Sequence, residues 1–475
     1  MKRLLLTLAI ALPILAYVGE WTGAFAWSDS SIFRYIGKCV SEGGVMYQCA
    51  WDNKGPMLLL PNALGWRLMG VHGPGLVMML MGLASVVLFH HISTLLAQER
   101  SAAWATALYS AVLVGNPAAV NFNSQEWAAV FFILIGVFSL LRGGRIVGPL
   151  VIGSCVGCVL LIKANLVSFG GAALALWLSD AITRKSSWKE VLQSAAWSFV
   201  GFAGTLGLVT GAFAACGAAY DMWDATLLFG LFEYCKTGES WFSWAMDYWG
   251  KWHKGEWVVL HYAALLVFAV CGAVALMRKR DGRMVLFLAT WLIFDLFMTF
   301  GFKTFYNHYL VVSYPELCLL FACAVEALAE RRFLRRIGIS FAAASIAVFV
   351  AYGFVGWRSY RNWNRDIERI EAWMDANLPE GSLIAFGGGL YTPEIAVRTK
   401  ARCPQKYFNA EMNYYFAGEK RRGEILAELS DVLSRDDVKY LVIHDVEKFV
   451  SWSGMGFVRD LPTTQVAGAS FIRLR

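Results

Sequence analysis

The chain has 475 residues, of which 57% are hydrophobic and 16% are charged. An average soluble domain is roughly 45–50% apolar and about 25% charged. The composition therefore excludes a soluble enzyme, a disordered chain and a fibrous repeat, and a mean hydropathy of +0.50 favours a multi-pass membrane protein. The net charge is +7. No basic surface interleaved with aromatics is visible, so the charge is expected to set membrane topology rather than to bind nucleic acid.

Apolar runs of about 20 residues, the length that crosses a ~30 Å hydrocarbon core, recur along the chain. The first run follows Met1-Lys2-Arg3 and reaches about Val18. It has no clear cleavage site before Glu20, so we interpret it as a retained helix. The others lie near 75–97, 102–119, 126–142, 146–162, 166–183, 192–216, 257–277, 284–301, 308–329 and 337–356. The sequence thus predicts about eleven transmembrane helices.

Basic residues orient these helices, because cytoplasmic loops carry an excess of Lys and Arg. Lys2 and Arg3 place the N-terminus in the cytoplasm. Alternate loops are then expected to be basic, and they hold Arg142, Arg145, Arg184, Lys185, Lys189, Arg278, Lys279, Arg280, Arg283, Arg331, Arg332, Arg335 and Arg336. We therefore predict a multi-pass protein of the inner or plasma membrane, with its C-terminal part outside the cytoplasm.

Two domains are predicted. Residues 1–356 form the transmembrane domain, with outer loops 19–74 and 217–256, and residues 357–475 form a small extracytoplasmic α/β domain. The tail is more highly charged and its apolar runs are short.

Within the tail, 382–386 and 440–443 read as short buried strands and 422–433 reads as a helix. Gly387-Gly388-Gly389 follows the first strand, but it lacks the lysine and the spacing of a phosphate-binding loop, so that function is disfavoured.

The first outer loop carries the residues best suited to chemistry. Asp29, Asp52 and Lys54 lie close to aromatic residues. A carboxylate there can take a proton from a hydroxyl nucleophile, and a lysine can balance the charge of a phosphate. The alternative is an ordinary solvated loop whose charges pair with one another.

Two further charges stand at the outer ends of apolar helices. Glu126 follows Asn123-Ser124-Gln125 at a helix start, where it is either a functional acid or part of ordinary N-terminal capping. Lys163 lies at or just inside the membrane boundary, which marks function unless the side chain reaches the interface.

The segment from Lys303 to Tyr309 opens an outer-side helix. Lys303 and His308 are suited to a phosphate or pyrophosphate, while Tyr306 and Tyr309 also fit an aromatic interface belt. The tryptophans of the loop 217–256 favour an amphipathic helix lying on the bilayer.

Three segments resemble the GT-C glycosyltransferases, polytopic enzymes that use polyprenyl-phosphate-linked sugars. The likeness is closest to the bacterial family 39-like branch, which is related to protein O-mannosyltransferases and to the lipid A aminoarabinose transferase. The segments are 28–33, which looks like the acidic motif of the first outer loop; 44–56, which ends in Trp51-Asp52-Asn53-Lys54-Gly55-Pro56; and His308-Tyr309-Leu310 with Pro315. The tail segments 376–381 and Pro393-Glu394 are similar to the family's outer domain.

The resemblance implies the fold class and the roles. The fold is a polytopic α-helical membrane protein of GT-C type with a small C-terminal α/β extracytoplasmic domain. Asp29 would be the catalytic base, with Asp52 and Glu126 as further acids of the site, and Lys54 would bind the donor phosphate. The other expected substrate contacts are Lys163, Lys303, Tyr306, His308 and Tyr309. Ser30 and Cys49 stand where many members have acids, so Mg or Mn is a weaker expectation as cofactor.

The expected reaction is inverting transfer of a hexosyl or pentosyl group. The donor is a polyprenyl-phosphate-linked sugar, and the acceptor is a hydroxyl of an envelope glycan, lipid or protein at the outer membrane face. Membrane lipid is the other expected partner, and nucleic acid is not. Two alternatives stay open: an O-antigen ligase or polymerase using a diphosphate-linked oligosaccharide, and a lipid-linked-sugar transporter.

Overall fold

The protein is seen in a computed structural model, which describes residues 1–21, 29–115, 123–233, 257–279, 281–301, 307–389 and 392–474. Helices predominate. In the first half of the chain they are α1 (Lys2–Trp21), α2 (Asp29–Ser41), α3 (Pro56–Met69), α4 (Gly73–Leu96), α5 (Glu99–Gly115), α6 (Gln125–Arg142), α7 (Val147–Leu160), α8 (Ser168–Ile182) and α9 (Trp188–Ala215).

The second half adds shorter helices and four strands. The helices are α10 (Ala219–Trp223), α11 (Phe229–Phe232), α12 (Trp257–Arg278), α13 (Gly282–Gly301), α14 (Tyr314–Ala327), α15 (Arg332–Asn377), α16 (Thr392–Arg398), α17 (Ala410–Phe416), α18 (Glu419–Ser434) and α19 (Val446–Ser453). The strands are β1 (Leu383–Gly388), β2 (Val438–Ile443), β3 (Thr463–Val466) and β4 (Ala469–Arg473). Short 3₁₀ segments are Gly70–His72, Ala164–Leu166, Asn307–Ser313, Leu328–Glu330 and Gly456–Asp460, and Asp224–Leu228 is a π-helical turn.

The apolar runs are helices, as far as the structure describes them. Within the described residues, eight helical stretches are long and apolar enough to cross a membrane. Helices α5, α7 and α13 coincide with further predicted runs but fall outside those eight. The predicted multi-pass helical fold is therefore confirmed, while the number of about eleven crossings stays a prediction.

The chain divides into two compact units. The helical unit comprises Met1–Val18, Met78–Val209 and Thr237–Gly356. The sheet unit comprises Gly19–Val77, Thr210–Lys236 and Trp357–Arg475. The whole range of the predicted first outer loop, 19–74, and part of the predicted second one thus group with the C-terminal tail.

In the helical unit, α14 is the most buried helix. Every residue from Tyr314 to Val325 is buried, and α14 packs against α5 and α12. Helix α6 packs on α7, and α8 packs on α13. Bilayer lipid provides no hydrophobic drive between helices, so this close packing has to supply the stability.

The sheet unit is built around a mixed four-stranded sheet of order β1-β2-β4-β3. The parallel pair β1–β2 needs a crossover, which α16, α17 and α18 provide. The antiparallel pair β3–β4 turns through Ala467 and Gly468, both with positive φ, as a two-residue hairpin of type I′ requires.

Three predicted elements of the tail are confirmed, with most of their ends shifted by one to three residues. The predicted strands 382–386 and 440–443 are β1 and β2, and the predicted helix 422–433 is α18. The helices α2 and α3, in the predicted first outer loop, were not anticipated by the sequence reading.

The triple glycine after β1 has a packing explanation. Gly388 and Gly389 have φ of +113° and +114°. A Cβ at Gly388 would lie 2.3 Å from Cβ of Glu411, and one at Gly389 would lie 2.5 Å from Cβ of His444. Glycine is required here because α17 and the residue after β2 pass so close to the backbone.

Candidate active site

Asp29 is the first residue of α2, in the sheet unit, and its side chain is half-buried. Phe33 lies one turn later on the same face and is fully buried. The second half of α2 is anchored elsewhere: Nζ of Lys38 donates to the carbonyl oxygen of Thr399 at 2.6 Å, at the end of α16. A cation at a helix C-terminus is stabilising. Asp29 therefore projects from a helix that is fixed at its far end.

Asp52 and Lys54 form an ion pair beside this helix. Nζ of Lys54 lies 3.3 Å from Oδ1 of Asp52, and the backbone N–H of Lys54 also donates to Oδ1 at 3.1 Å. The Asp52 and Lys54 side chains are only 10% and 13% exposed. The lysine ammonium lies 5.9 Å from the ring centroid of Phe33. The structure thus brings Lys54 to the face of α2 that begins with Asp29.

Burial raises the pKa of Asp52 above its usual range, although the nearby ammonium of Lys54 acts in the opposite direction. The carboxylate of Asp29 raises it further, so the two acids are close enough to interact. Asp29, Asp52 and Lys54 therefore form one charged cluster, although Asp29 is far from the other two in the sequence.

Tyr47, which the sequence reading did not select, supports this cluster. Its hydroxyl donates to the carbonyl oxygen of Lys54 at 2.8 Å, and its side chain is fully buried. Its φ is +68°, which a bulky residue rarely adopts. Strain of this kind persists where the surroundings impose it, commonly at functional sites. Only the fold reveals this residue, because the sequence gives no signal of the backbone angle.

The loop is tied to the C-terminal segment of the same unit. The N–H of Trp51 donates to the carbonyl oxygen of Lys406 at 2.8 Å. Above the Trp51 ring, the guanidinium of Arg421 lies 5.0 Å from the centroid. Arg421 also pairs with Asp224 at 2.7 Å and with Glu233 at 2.9 Å. These contacts hold the Asp52–Lys54 segment in place.

In the helical unit, Glu126 and Lys163 form a second ion pair. Nζ of Lys163 lies 3.8 Å from Oε1 of Glu126, whose side chain is 1% exposed. Helix α6 is capped by Ser124, whose hydroxyl accepts from the N–H of Trp127 at 3.3 Å. Ser124 therefore caps helix α6, and Glu126 is a buried acid paired with a cation.

A buried acid pair, formed by Asp295 and Glu316, lies in the same unit. Asp295 of α13 accepts a hydrogen bond from Ser168 at the start of α8, and its carboxyl interacts with that of Glu316 in α14. Both acids are at most 1% exposed. In the sequence, Asp295 is a charge within an apolar run, whereas Glu316 follows Pro315 at a helix start, where an acid is commonplace.

The remaining predicted contacts are only partly visible. Lys303 and Tyr306 lie outside the described residues, as do Trp241, Trp244, Trp249 and Trp252 of the second outer loop. His308 and Tyr309 belong to the 3₁₀ segment Asn307–Ser313, of which only the backbone is described at these two positions.

A divalent cation such as Mg or Mn needs several oxygen ligands. Among the residues that the structure describes, no three His, Cys, Asp or Glu side chains come together. The most buried acid of the cluster, Asp52, is already engaged by Lys54. The expectation of Mg or Mn therefore stays a prediction, and no chemical step is assigned to a metal ion.

Comparison of the sequence with protein-family models finds no matching family, and comparison with curated proteins finds no matching relative. Solved structures do match. ArnT from Cupriavidus metallidurans in the apo state aligns with a TM-score of 0.62 and 12% identity, over 99% of this chain and 97% of the ArnT chain. ArnT from the same organism bound to undecaprenyl phosphate aligns with a TM-score of 0.61 and 12% identity, over 99% and 98% of the two chains.

At this level of identity the likeness concerns the fold, and it extends over nearly the whole of both chains. The ArnT structures have the GT-C fold. This protein is accordingly a multi-pass membrane protein of the GT-C fold with a small C-terminal α/β domain.

Proposed function

We propose that the protein is an inverting glycosyltransferase that moves a sugar from a polyprenyl-phosphate donor to an acceptor hydroxyl at the outer face of the membrane. The observation that carries the proposal is the end-to-end fold similarity to ArnT, one structure of which holds undecaprenyl phosphate. The charged cluster of Asp29, Asp52 and Lys54 also supports it, because the cluster offers a base for the acceptor and a cation for the leaving phosphate.

The roles follow from charge and position. Asp29 accepts the proton of the acceptor hydroxyl as that oxygen attacks the anomeric carbon. Lys54 stabilises the charge that develops on the leaving phosphate, in a position preorganised by Tyr47 and Asp52. One displacement inverts the anomeric centre, and no covalent enzyme nucleophile is needed.

The pair Glu126–Lys163 takes the accessory role in the proposal. Lys163 contacts the phosphate or the sugar, and Glu126 holds the lysine in its orientation. His308 is a further sugar or phosphate contact, and Lys303, Tyr306 and Tyr309 complete the set of substrate contacts.

Two alternatives are less well supported. An O-antigen ligase or polymerase using a diphosphate-linked oligosaccharide is expected to have a large arginine-rich outer loop, and residues 217–256 contain no arginine. A transporter is expected to show inverted repeats and broken midplane helices, and no repeat is visible in the sequence.

The direct test is transfer of labelled sugar from membrane-extracted polyprenyl-phosphate donors in reconstituted vesicles. We expect Asp29→Asn to lower the rate by about 10²–10⁴-fold, because the substitution keeps the shape and removes the base. Asp460→Asn, the same change at an exposed site of the tail, is the matched control. An unchanged rate in a folded Asp29→Asn protein would remove Asp29 from the mechanism, and no transfer by the wild type from any donor would refute the proposed activity.

A further inference from the structure

A polar cavity lies in the helical unit. It is lined by residues of the turns between α6 and α7 and between α8 and α9, and by residues of the adjoining helices. Its volume is about 260 Å³. We call it the rim cavity and define it by Gly143, Arg145, Asp180, Lys185, Ser186 and Arg283, which are among its lining residues. The rim cavity belongs to the group of basic loops that the sequence places on the side of the N-terminus.

Helices α7 and α9 pack closely beside the rim cavity. A Cβ at Gly153 would lie 1.8 Å from the carbonyl oxygen of Ser198, and one at Gly201 would lie 2.0 Å from that of Leu150. The two backbones therefore touch at this level. Pro149 and Ser194, near the starts of the same helices, line the rim cavity. The cavity is thus part of a tightly packed helix pair rather than of a loose loop.

The charges of the cavity are unevenly neutralised. Asp180 is well paired, because Arg283 reaches its Oδ2 at 2.7 and 2.9 Å. Glu190 is held by the N–H of Ser187 at 2.9 Å and by Arg145 at 3.0 Å, but the Arg145 side chain is 84% exposed. Such an exposed pair is weak and exchanges readily. Within the described part of the chain Lys185 forms no ion pair, so the cavity has an excess of positive charge.

The turn between α8 and α9 contributes one buried hydroxyl to the lining of the rim cavity. Arg184 has φ of +57°, in the left-handed region that glycine prefers. The N–H groups of Lys185 and Ser186 both donate to the carbonyl oxygen of Asp180. The hydroxyl oxygen of Ser186 is buried and has no hydrogen-bond partner among the described residues. Buried hydroxyl groups are normally hydrogen-bonded, so we expect a bound molecule to supply the partner of this one.

Two exposed apolar side chains lie beside the rim cavity. A second cavity of about 610 Å³ shares Lys185, Ser186 and Glu190 with it, and its lining includes Ile182 and Trp188. Ile182 is 71% exposed and Trp188 is 57% exposed. Exposed aliphatic and indole side chains beside a basic turn are typical of a membrane interface.

We propose that the rim cavity binds the headgroup of an anionic phospholipid, with a phosphodiester next to Lys185, Arg145 and Ser186 and the acyl chains against Ile182 and Trp188. The excess positive charge matches one phosphodiester anion, and basic pockets between transmembrane helices bind such headgroups. The exposed side chains of Ile182 and Trp188 in the adjoining cavity favour a lipid over free phosphate, because free phosphate makes no apolar contact with them. This site does not depend on the proposed transferase activity.

The test is equilibrium binding to the purified full-length protein in neutral detergent, measured by native mass spectrometry with dioleoylphosphatidylglycerol. We expect Arg145→Gln/Lys185→Gln to weaken binding about thirtyfold, since each of the two basic residues accounts for a factor of roughly five to six. Lys189→Gln is the matched control, because Lys189 is an exposed lysine at the start of α9 that does not line the rim cavity; this variant should bind as the wild type does. Lys185→Arg keeps the charge and should bind the lipid as the wild type does.

Three results would overturn the proposal. Equal weakening by Lys189→Gln would reveal non-specific attraction to a basic surface. Equal binding of dioleoylphosphatidylcholine, which carries no net charge, would exclude recognition of the anion. Displacement of the lipid by inorganic phosphate at millimolar concentration would identify a free-phosphate site instead.

Discussion

At the scale of single residues, Asp52 and Lys54 show how burial shields a pair of loop charges from solvent. Both side chains are nearly buried, and each is held by more than one contact. An ion pair in such surroundings is screened far less than an exposed pair. The same pair in a solvated loop, the alternative that the sequence left open, would have little effect on an incoming phosphate.

The raised pKa of Asp52 gives a pH prediction. As the pH falls through this raised pKa, Asp52 takes up a proton and the ion pair with Lys54 is lost. We expect kcat/KM for sugar transfer to fall on the acid side at a pH above the ordinary aspartate value of about 3.9. The pH profile of Asp52→Asn should lack this limb. An identical acid limb in that variant would assign it to another group.

The ion pair Glu126–Lys163 predicts non-additive stability. Lys163→Met leaves a buried carboxylate without this cation and should destabilise the protein by about 3 kcal/mol. Adding Glu126→Gln should recover much of the loss, because the buried charge is then removed as well. Thermal unfolding in detergent measures both variants, and additive losses would contradict the coupling of the two residues.

At the scale of elements, the triple glycine after β1 links the sheet to its covering helices. Gly388→Ala would force a left-handed angle on alanine and place its Cβ 2.3 Å from that of Glu411. We expect a marked fall in thermal stability. Gly423 lies within α18, and a Cβ added there would meet no neighbouring atom within 4 Å, so Gly423→Ala should stabilise by about 0.5–1 kcal/mol. Equal effects of the two alanines would contradict this packing explanation.

Helix α15 illustrates how an element can differ from a sequence-based boundary. It extends from Arg332 to Asn377 without a break, so it continues past the point at which the apolar run ends. Hydropathy reports where a segment becomes polar, whereas a helix continues as long as its backbone bonds are satisfied and no Pro interrupts it. The change of composition near Trp357 is therefore a change of surroundings along one helix.

At the scale of the whole molecule, the orientation in the membrane is a prediction of the charge pattern. A C-terminal fusion to alkaline phosphatase, which is active only outside the cytoplasm, should be active, and the same fusion to a fluorescent protein that matures in the cytoplasm should be dark. The opposite pair of results would invert the assignment of every loop and with it the expected face of the reaction.

Local composition was sufficient to establish the membrane class, the apolar helices, the tail strands β1 and β2, and the candidate charges. These features depend on hydropathy and periodicity, which are visible in any window of residues. The same reasoning selected Asp29, Asp52 and Lys54, because a charge beside aromatics in an outer loop is unusual enough to notice.

Which of these charges interact could be learned from the folded molecule alone. Asp29 and Asp52 are 23 positions apart in the numbering, and their proximity depends on how α2 packs within its unit. The partnership of Glu126 with Lys163 and the contact of Asp295 with Glu316 likewise join residues distant in sequence, and the strained angle of Tyr47 is imposed by its surroundings. Contacts of this kind arise from packing between elements, and no local pattern encodes which side chains will meet.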